Sequence, residues 1–121
     1  MKSAINWFEI AVTDLDRATR FYEQTLAVAL RREEFFGTPM AIFPAEQPGV
    51  AGALVRDARR APGGGGSVVY INVDKQLDEC LGRVAAAGGL VVTPRTDIGE
   101  MGAIALVKDT EGNVVGLHTE R

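Results

Sequence analysis

The sequence predicts an α+β fold: two βαβββ modules in tandem, whose sheets curve around a cavity. Three observations carry this. Hydrophobic residues alternate with period two at the start of each half, a helical stripe follows each time, and three further extended segments complete each half. The 121 residues suit one domain, with a first module over about 1–57, a glycine-rich linker over about 58–66 and a second module over about 67–121.

In the first strand, Ile5–Val12, Phe8, Ile10 and Val12 alternate with Trp7, Glu9 and Ala11, so the two sets face opposite sides. Thr13 or Asp14 can cap the helix that follows, and Asp16 suits the positive end of its dipole. Leu15, Ala18, Phe21, Tyr22 and Leu26 recur at helical spacing. Extended segments are expected near Val28–Phe35, Met40–Phe43 and Val50–Arg56, punctuated by Gly37, Pro39, Pro44, Pro48 and Gly49.

Asp57–Gly66 (DARRAPGGGG) reads as a flexible connection. Its four glycines lead into a strand and lack the Lys-Ser/Thr sequel of a phosphate-binding loop. The pattern then restarts. Ser67–Val73 is a strand, Asp74 a candidate cap, and Leu77, Cys80, Leu81 and Val84 a helical stripe stopped by Gly88–Gly89. Leu90–Thr93, Gly102–Val107 and Asn113–Thr119 read as strands, with a hairpin turn over Asp109–Asn113. The segment Thr96–Gly102 reads as an ordinary connecting loop, the alternative being a loop that closes over a cavity with Gly99 and Gly102 as pivots.

Laid over each other, the halves match in order. At an offset of 61, Ile10 meets Ile71 and Val12 meets Val73. At 62, Leu15 meets Leu77 and Ala41 meets Ala103; at 64, Gly52 meets Gly116. A four-stranded sheet with one helix leaves its other face uncovered, and two such faces can enclose a cavity.

A net charge of −3 and a pI near 5.1 argue against nucleic acid as a partner. No apolar run approaches the ~20 residues needed to span a bilayer. The N-terminal stretch lacks the apolar core of a secretion signal, and the single cysteine, Cys80, excludes an internal disulfide, so a cytoplasmic location is expected. Cys80 lies in a helical stripe and reads as a core side chain.

The stretch Asn6-Trp-Phe-Glu-Ile-Ala-Val-Thr-Asp-Leu-Asp-Arg-Ala with Phe21-Tyr22 resembles the vicinal oxygen chelate superfamily, which includes glyoxalase I, bleomycin-resistance proteins and extradiol dioxygenases. Ala105-Leu-Val-Lys-Asp-Thr-Glu-Gly-Asn-Val-Val-Gly-Leu-His118 resembles its closing hairpin and last strand. Ala86–Gly89 and Pro94–Gly102 are similar to a glyoxalase-like subgroup. The resemblance covers essentially the whole chain. It implies paired βαβββ modules, a homodimer, and a metal held by His or Glu from the first and last strands of the modules. Carried over, those ligand positions fall on Trp7, Val68, near Gly52 and on Gly116, none of which can ligate through a side chain. No cofactor is therefore expected, with a divalent metal as the alternative.

Strand alternation supplies the candidate site. Trp7 and Glu9 face the cavity from the first strand; Val68, Tyr70 and Asn72 from the start of the second module; Gly116 and His118 from the last strand; and Gly52, Leu54 and Arg56 from the fourth. Glu9, Tyr70 and His118 lie two residues beyond the implied ligand positions, about 7 Å further along the same face. Glu9 and His118 can form an acid–base pair, or with Tyr70 an unusual metal centre. Trp7 and Tyr70 would supply flat walls, and Gly52 and Gly116 room for a ligand. The leading expectation is a protein that binds or transforms a small, partly apolar molecule without the usual metal. The alternatives are a metal-dependent lyase or isomerase of glyoxalase type, a drug-sequestering resistance protein, and a structural interaction module.

Overall fold

The computed structural model describes residues 4–121; residues 1–3 of the expected first module lie outside them. The elements run β1 (Trp7–Ala11), α1 (Leu15–Leu26), β2 (Arg31–Phe35), β3 (Thr38–Ile42), β4 (Ala51–Val55), β5 (Tyr70–Asn72), α2 (Leu77–Val84), β6 (Leu90–Asp97), β7 (Ala103–Lys108) and β8 (Val114–Thr119). They form two four-stranded sheets of the same topology, β1-β4-β3-β2 and β5-β8-β7-β6, so the βαβββ repeat is present twice.

In each module the first strand pairs in parallel with the fourth, and the other pairings are antiparallel. A parallel pair needs a long crossover, which α1 and the β2–β3 hairpin provide in the first module. Helix α1 starts where Asp14 accepts a bond from Arg17 N (3.0 Å) and ends at Ala27 in the left-handed region. Its stripe of Leu15, Ala18, Phe21, Tyr22 and Leu26 is buried. Helix α2 buries Leu77, Cys80 and Val84. Asp74 does not cap it: Asp74 Oδ1 instead accepts from Thr119 Oγ1 (3.2 Å) and Glu120 N (3.0 Å), tying β5 to the end of β8.

The modules meet through α1 against α2, and one apolar core runs across both. Phe21, Tyr22 and Phe43 pack edge to face within it. The Asp109–Asn113 turn of the second module reaches back to the first. Glu111 Oε1 accepts from Thr13 N (2.9 Å) and Asp14 N (2.8 Å), and Asn113 Nδ2 donates to Ala11 O (2.8 Å). The turn that closes the last hairpin thus clamps the β1–α1 corner.

Strand β6 is longer than the sequence suggests. It continues through Pro94 to Asp97, with register shifts between Val91 and Thr93 and between Thr93 and Thr96. Proline is tolerated there because β6 is an edge strand and the ladder is already interrupted. The expected loop shrinks to a short turn at Gly99–Met101.

Candidate functional site

Each sheet has one face against the helices and one free of them, and register decides which residues share a face. In the first sheet Trp7 lies beside Ala51, Glu9 beside Ala53, Ile42 beside Ala53, and Met40 beside Val55. Arg31 and Glu33 lie beside Ile42 and Met40. This is the free face. Ile42, Ala53 and Val55 form a small apolar cluster on it, with Met40 packed against them.

Glu9, Arg31 and Glu33 are charged residues of this face, and Glu9 stands nearest Trp7. Trp7 Nε1 donates to Glu9 Oε2 (3.1 Å), and Arg60 Nη2 donates to Glu9 Oε1 (2.6 Å). The Arg60 bond is the main cause that lowers the Glu9 pKa, against a smaller opposing effect of burial. Arg60 is placed by a turn in which its N–H bonds to Asp57 O (2.9 Å), with its guanidinium 3.6 Å from the Asp57 carboxylate. Hydrogen bonds from the Arg59 side chain and backbone hold Asp57 at a pKa of about 2. Beside Glu9 lies a depression of about 720 Å3, lined by Trp7, Arg31, Phe35, Met40, Ile42 and Ala51 among others.

In the second sheet Tyr70 lies beside Gly116 and Asn72 beside His118, with Ile104 beside His118 and Leu106 beside Gly116. Tyr70, Asn72, Gly116 and His118 thus share one face of the sheet, as alternation predicts. The room at Gly116 is taken by the protein itself: a Cβ there would stand 2.2 Å from the Tyr70 ring, so glycine lets that ring lie flat on the strand. Asn72 Oδ1 accepts from Asp74 N (2.9 Å), and His118 Nε2 donates to Met101 O (2.6 Å).

Gly52 and Leu54 require correction. They lie beside Phe8 and Ile10, on the helix side; Leu54 is fully buried in the main core, and a Cβ on Gly52 would stand 2.3 Å from the Phe8 ring. Since Ile10 lies beside Leu54 and Ile71 beside Leu117, the offset between β4 and β8 is 63, not 64. Gly116 therefore matches Ala53, and His118 matches Val55. A slip of one residue moves a whole strand to its other face. Arg56 leaves the free face likewise, and its Nε donates to Thr13 O (3.3 Å).

Glu9 and His118 stand on different sheets, and within one chain each bonds to other groups. Arg60 and Asp57 escaped the sequence reading, which treated their segment as a connection. The signal available was an acidic residue followed by an arginine pair in an otherwise small-residue stretch. The positions at which the resemblance implies metal ligands hold Trp7, Gly52, Val68 and Gly116, and among the described residues no three His, Cys, Asp or Glu side chains group to hold an ion. The donor set of a single chain does not fit the family's metal centre. Among the described residues no helix is long and apolar enough to cross a membrane.

A model of the Glyoxalase/Bleomycin resistance protein/Dioxygenase superfamily matches residues 4–117. Among curated proteins no sequence matches the chain. Solved structures share the fold. A glyoxalase/bleomycin resistance protein from Albidiferax ferrireducens superposes with a TM-score of 0.73 at 16% identity, over 98% of this chain and 100% of its own. TnmS3, an antibiotic binding protein from a Streptomyces species, gives 0.73 at 23% identity, over 98% of this chain and 97% of its own. A glyoxalase I mutant from Zea mays gives 0.71 at 21% identity, over 93% of this chain but 44% of its own.

Proposed function

Because the chain belongs to the glyoxalase/bleomycin resistance protein/dioxygenase superfamily, we propose that it binds a small, partly apolar molecule on its free sheet faces, and that it sequesters rather than transforms it. The observation that carries this reading is the depression of about 720 Å3 beside Glu9. Its volume suits a small molecule, its floor is apolar, and it has few polar groups. Arg60 pairs with Glu9 and Glu33 with Arg31, so the rim offers hydrogen bonds without a net charge. The flat Trp7 ring supplies a stacking wall. TnmS3 is an antibiotic binding protein, and antibiotics are the class to test first.

Trp7 is the only tryptophan, so its emission reports on this site alone. An antibiotic panel should contain compounds that quench it saturably and are recovered unchanged after incubation. Met40→Lys, which puts a charge on the apolar floor, should weaken that quenching by about tenfold or more. Prior dialysis against a chelator should leave the affinity unchanged. A panel with no effect on Trp7 emission overturns the reading, and conversion of a bound compound to an isomer or cleavage product establishes the enzymatic alternative.

We further propose a homodimer in which a second copy lays its second sheet over the first sheet of its partner. The exposed aromatic rings on both free faces support this: Trp7 and Phe35 on one, Tyr70 on the other, each more than two-fifths exposed. Such a twofold arrangement brings His118 and Tyr70 of one copy toward Glu9 and Trp7 of the other. Glu9→Gln and His118→Ala would then weaken binding less than additively. Sedimentation at micromolar concentration should give a dimer; monomer throughout that range removes this part of the proposal.

A further inference from the structure

A second concavity adjoins the one just described and shares Phe43, Pro44 and Ala45 with it. It is a groove of about 920 Å3 between the modules. Phe8 and Phe43 form one wall and Ile71 the other, while Leu26 of α1 and Cys80 of α2 close the floor. The groove lies beside the contacts that join the modules. There α1 packs on α2 and the Asp109–Asn113 turn clamps the β1–α1 corner. Ala45, Gly49 and Ser67 are among its small lining residues, and Ser67 directly follows a run of four glycines.

The charge of the groove is one-sided. Among the described residues its lining includes Glu46 and Asp74 and no lysine or arginine. Asp74 has partners in Thr119 and Glu120 N. The Glu46 carboxylate has no ion-pair partner among the described residues. Such a lining favours a cation over an anion, and the net charge of −3 acts in the same direction.

We infer that the inter-module groove is a second binding site, for an apolar molecule carrying a protonated amine, with the apolar part between Phe8, Phe43 and Ile71 and the amine at Glu46. Capture is non-covalent. Cys80 is buried at the floor, and that burial raises its thiol pKa, so it serves as a neutral apolar contact.

The probe is N-phenylnaphthylamine, a neutral apolar dye that brightens when bound, competed by phenylbutylamine or by phenylbutyrate. The dye should bind, and phenylbutylamine should displace it at lower concentration than phenylbutyrate. Val50 and Val68 stand on the lips of the groove and are 40% and 41% exposed, so a larger side chain there projects into the mouth without disturbing the core. Val50→Trp should weaken the dye about tenfold, and Val68→Trp, from the opposite lip, should do the same; circular dichroism checks that both are folded. Glu46→Gln should reduce the advantage of the amine by about two- to fivefold. Met40→Lys, on the free face of the first sheet, should leave dye binding unchanged. The inference is overturned if the folded protein does not bind the dye, if binding is lost in Met40→Lys but kept in both tryptophan variants, or if phenylbutyrate competes as well as the amine. The site on the free face is judged separately by Trp7 emission, so either proposal can fail alone.

Discussion

Asp109→Ala should cost about 3–5 kcal/mol of stability, the range for uncovering a buried, multiply bonded charge network. Asp109 is 4% exposed. Its Oδ2 accepts from Tyr22 Oη (2.7 Å) and Asn113 Nδ2 (3.1 Å), and its Oδ1 from Glu111 N (2.8 Å) and Asn113 N (2.9 Å). Alanine takes the acceptor from all four donors, three of them on the Asp109–Asn113 turn. Asparagine is no safe replacement, because its amide nitrogen would face donors wherever it is placed. Tyr22→Phe removes one donor and leaves Asp109 the others, so it should cost less, about 1–2 kcal/mol. A loss of ~3–5 kcal/mol lowers Tm by more than ~10 °C for a chain of this size. Urea unfolding of the three proteins tests the order, and a loss below about 1 kcal/mol for Asp109→Ala would show that the network is not closed in solution. Tyr22 adds an alkaline dependence. Burial, then the neighbouring Asp109, raise its hydroxyl pKa well above 10. A raised folded value means stability that is present below the unfolded pKa and lost as pH rises beyond it. Tyr22→Phe should therefore be less sensitive to alkali than the parent.

Glu111→Ala should cost about 2–4 kcal/mol, through a different route. Its Oε1 accepts from Thr13 N and Asp14 N at the start of α1 and from Arg17 Nη2 (3.0 Å), and its Oε2 accepts from Arg17 Nε (2.7 Å). One side chain from the second module thus satisfies backbone donors of the first and pairs with its arginine. Burial pushes the carboxyl pKa up, but the bonds from Arg17, Asp14 N, Thr110 and Thr13 N outweigh it and hold the value at about 2. The depressed value fixes the sign. The contribution is fully present above the ordinary 4.5 and is lost as pH falls toward about 2. Acid titration of the parent should show stability falling through that window, and Glu111→Gln should flatten the fall while lowering stability at neutral pH. Equal acid slopes in the two proteins would assign the loss to other carboxylates, such as Asp57.

Much of this architecture is written in short-range patterns. Alternation in Trp7–Ala11, the stripe from Leu15 to Leu26, and the turn residues around Asp109–Asn113 each express a geometry that a few neighbours suffice to define. Their recurrence in the second half is what makes the paired modules readable. The face of Tyr70, Asn72 and His118 was readable for the same reason. The face of Gly52 and Leu54 was not. A strand's period is two, so its orientation depends on register with β1, and repeat matching with drifting offsets leaves that register uncertain by one residue.

What the sequence by itself determined is the local order of elements, the doubled module and the shared faces of Trp7 with Glu9 and of Tyr70 with Asn72 and His118. What only the tertiary structure decided is who meets whom across long separations: Arg60 on Glu9, Glu111 on the start of α1, Tyr70 over Gly116, and the groove between the modules. Those contacts depend on the path of a glycine-rich linker and on the angle between two packed helices. Neither leaves a periodic trace in the chain, because each is set by the sum of distant packing contacts rather than by the residues beside it.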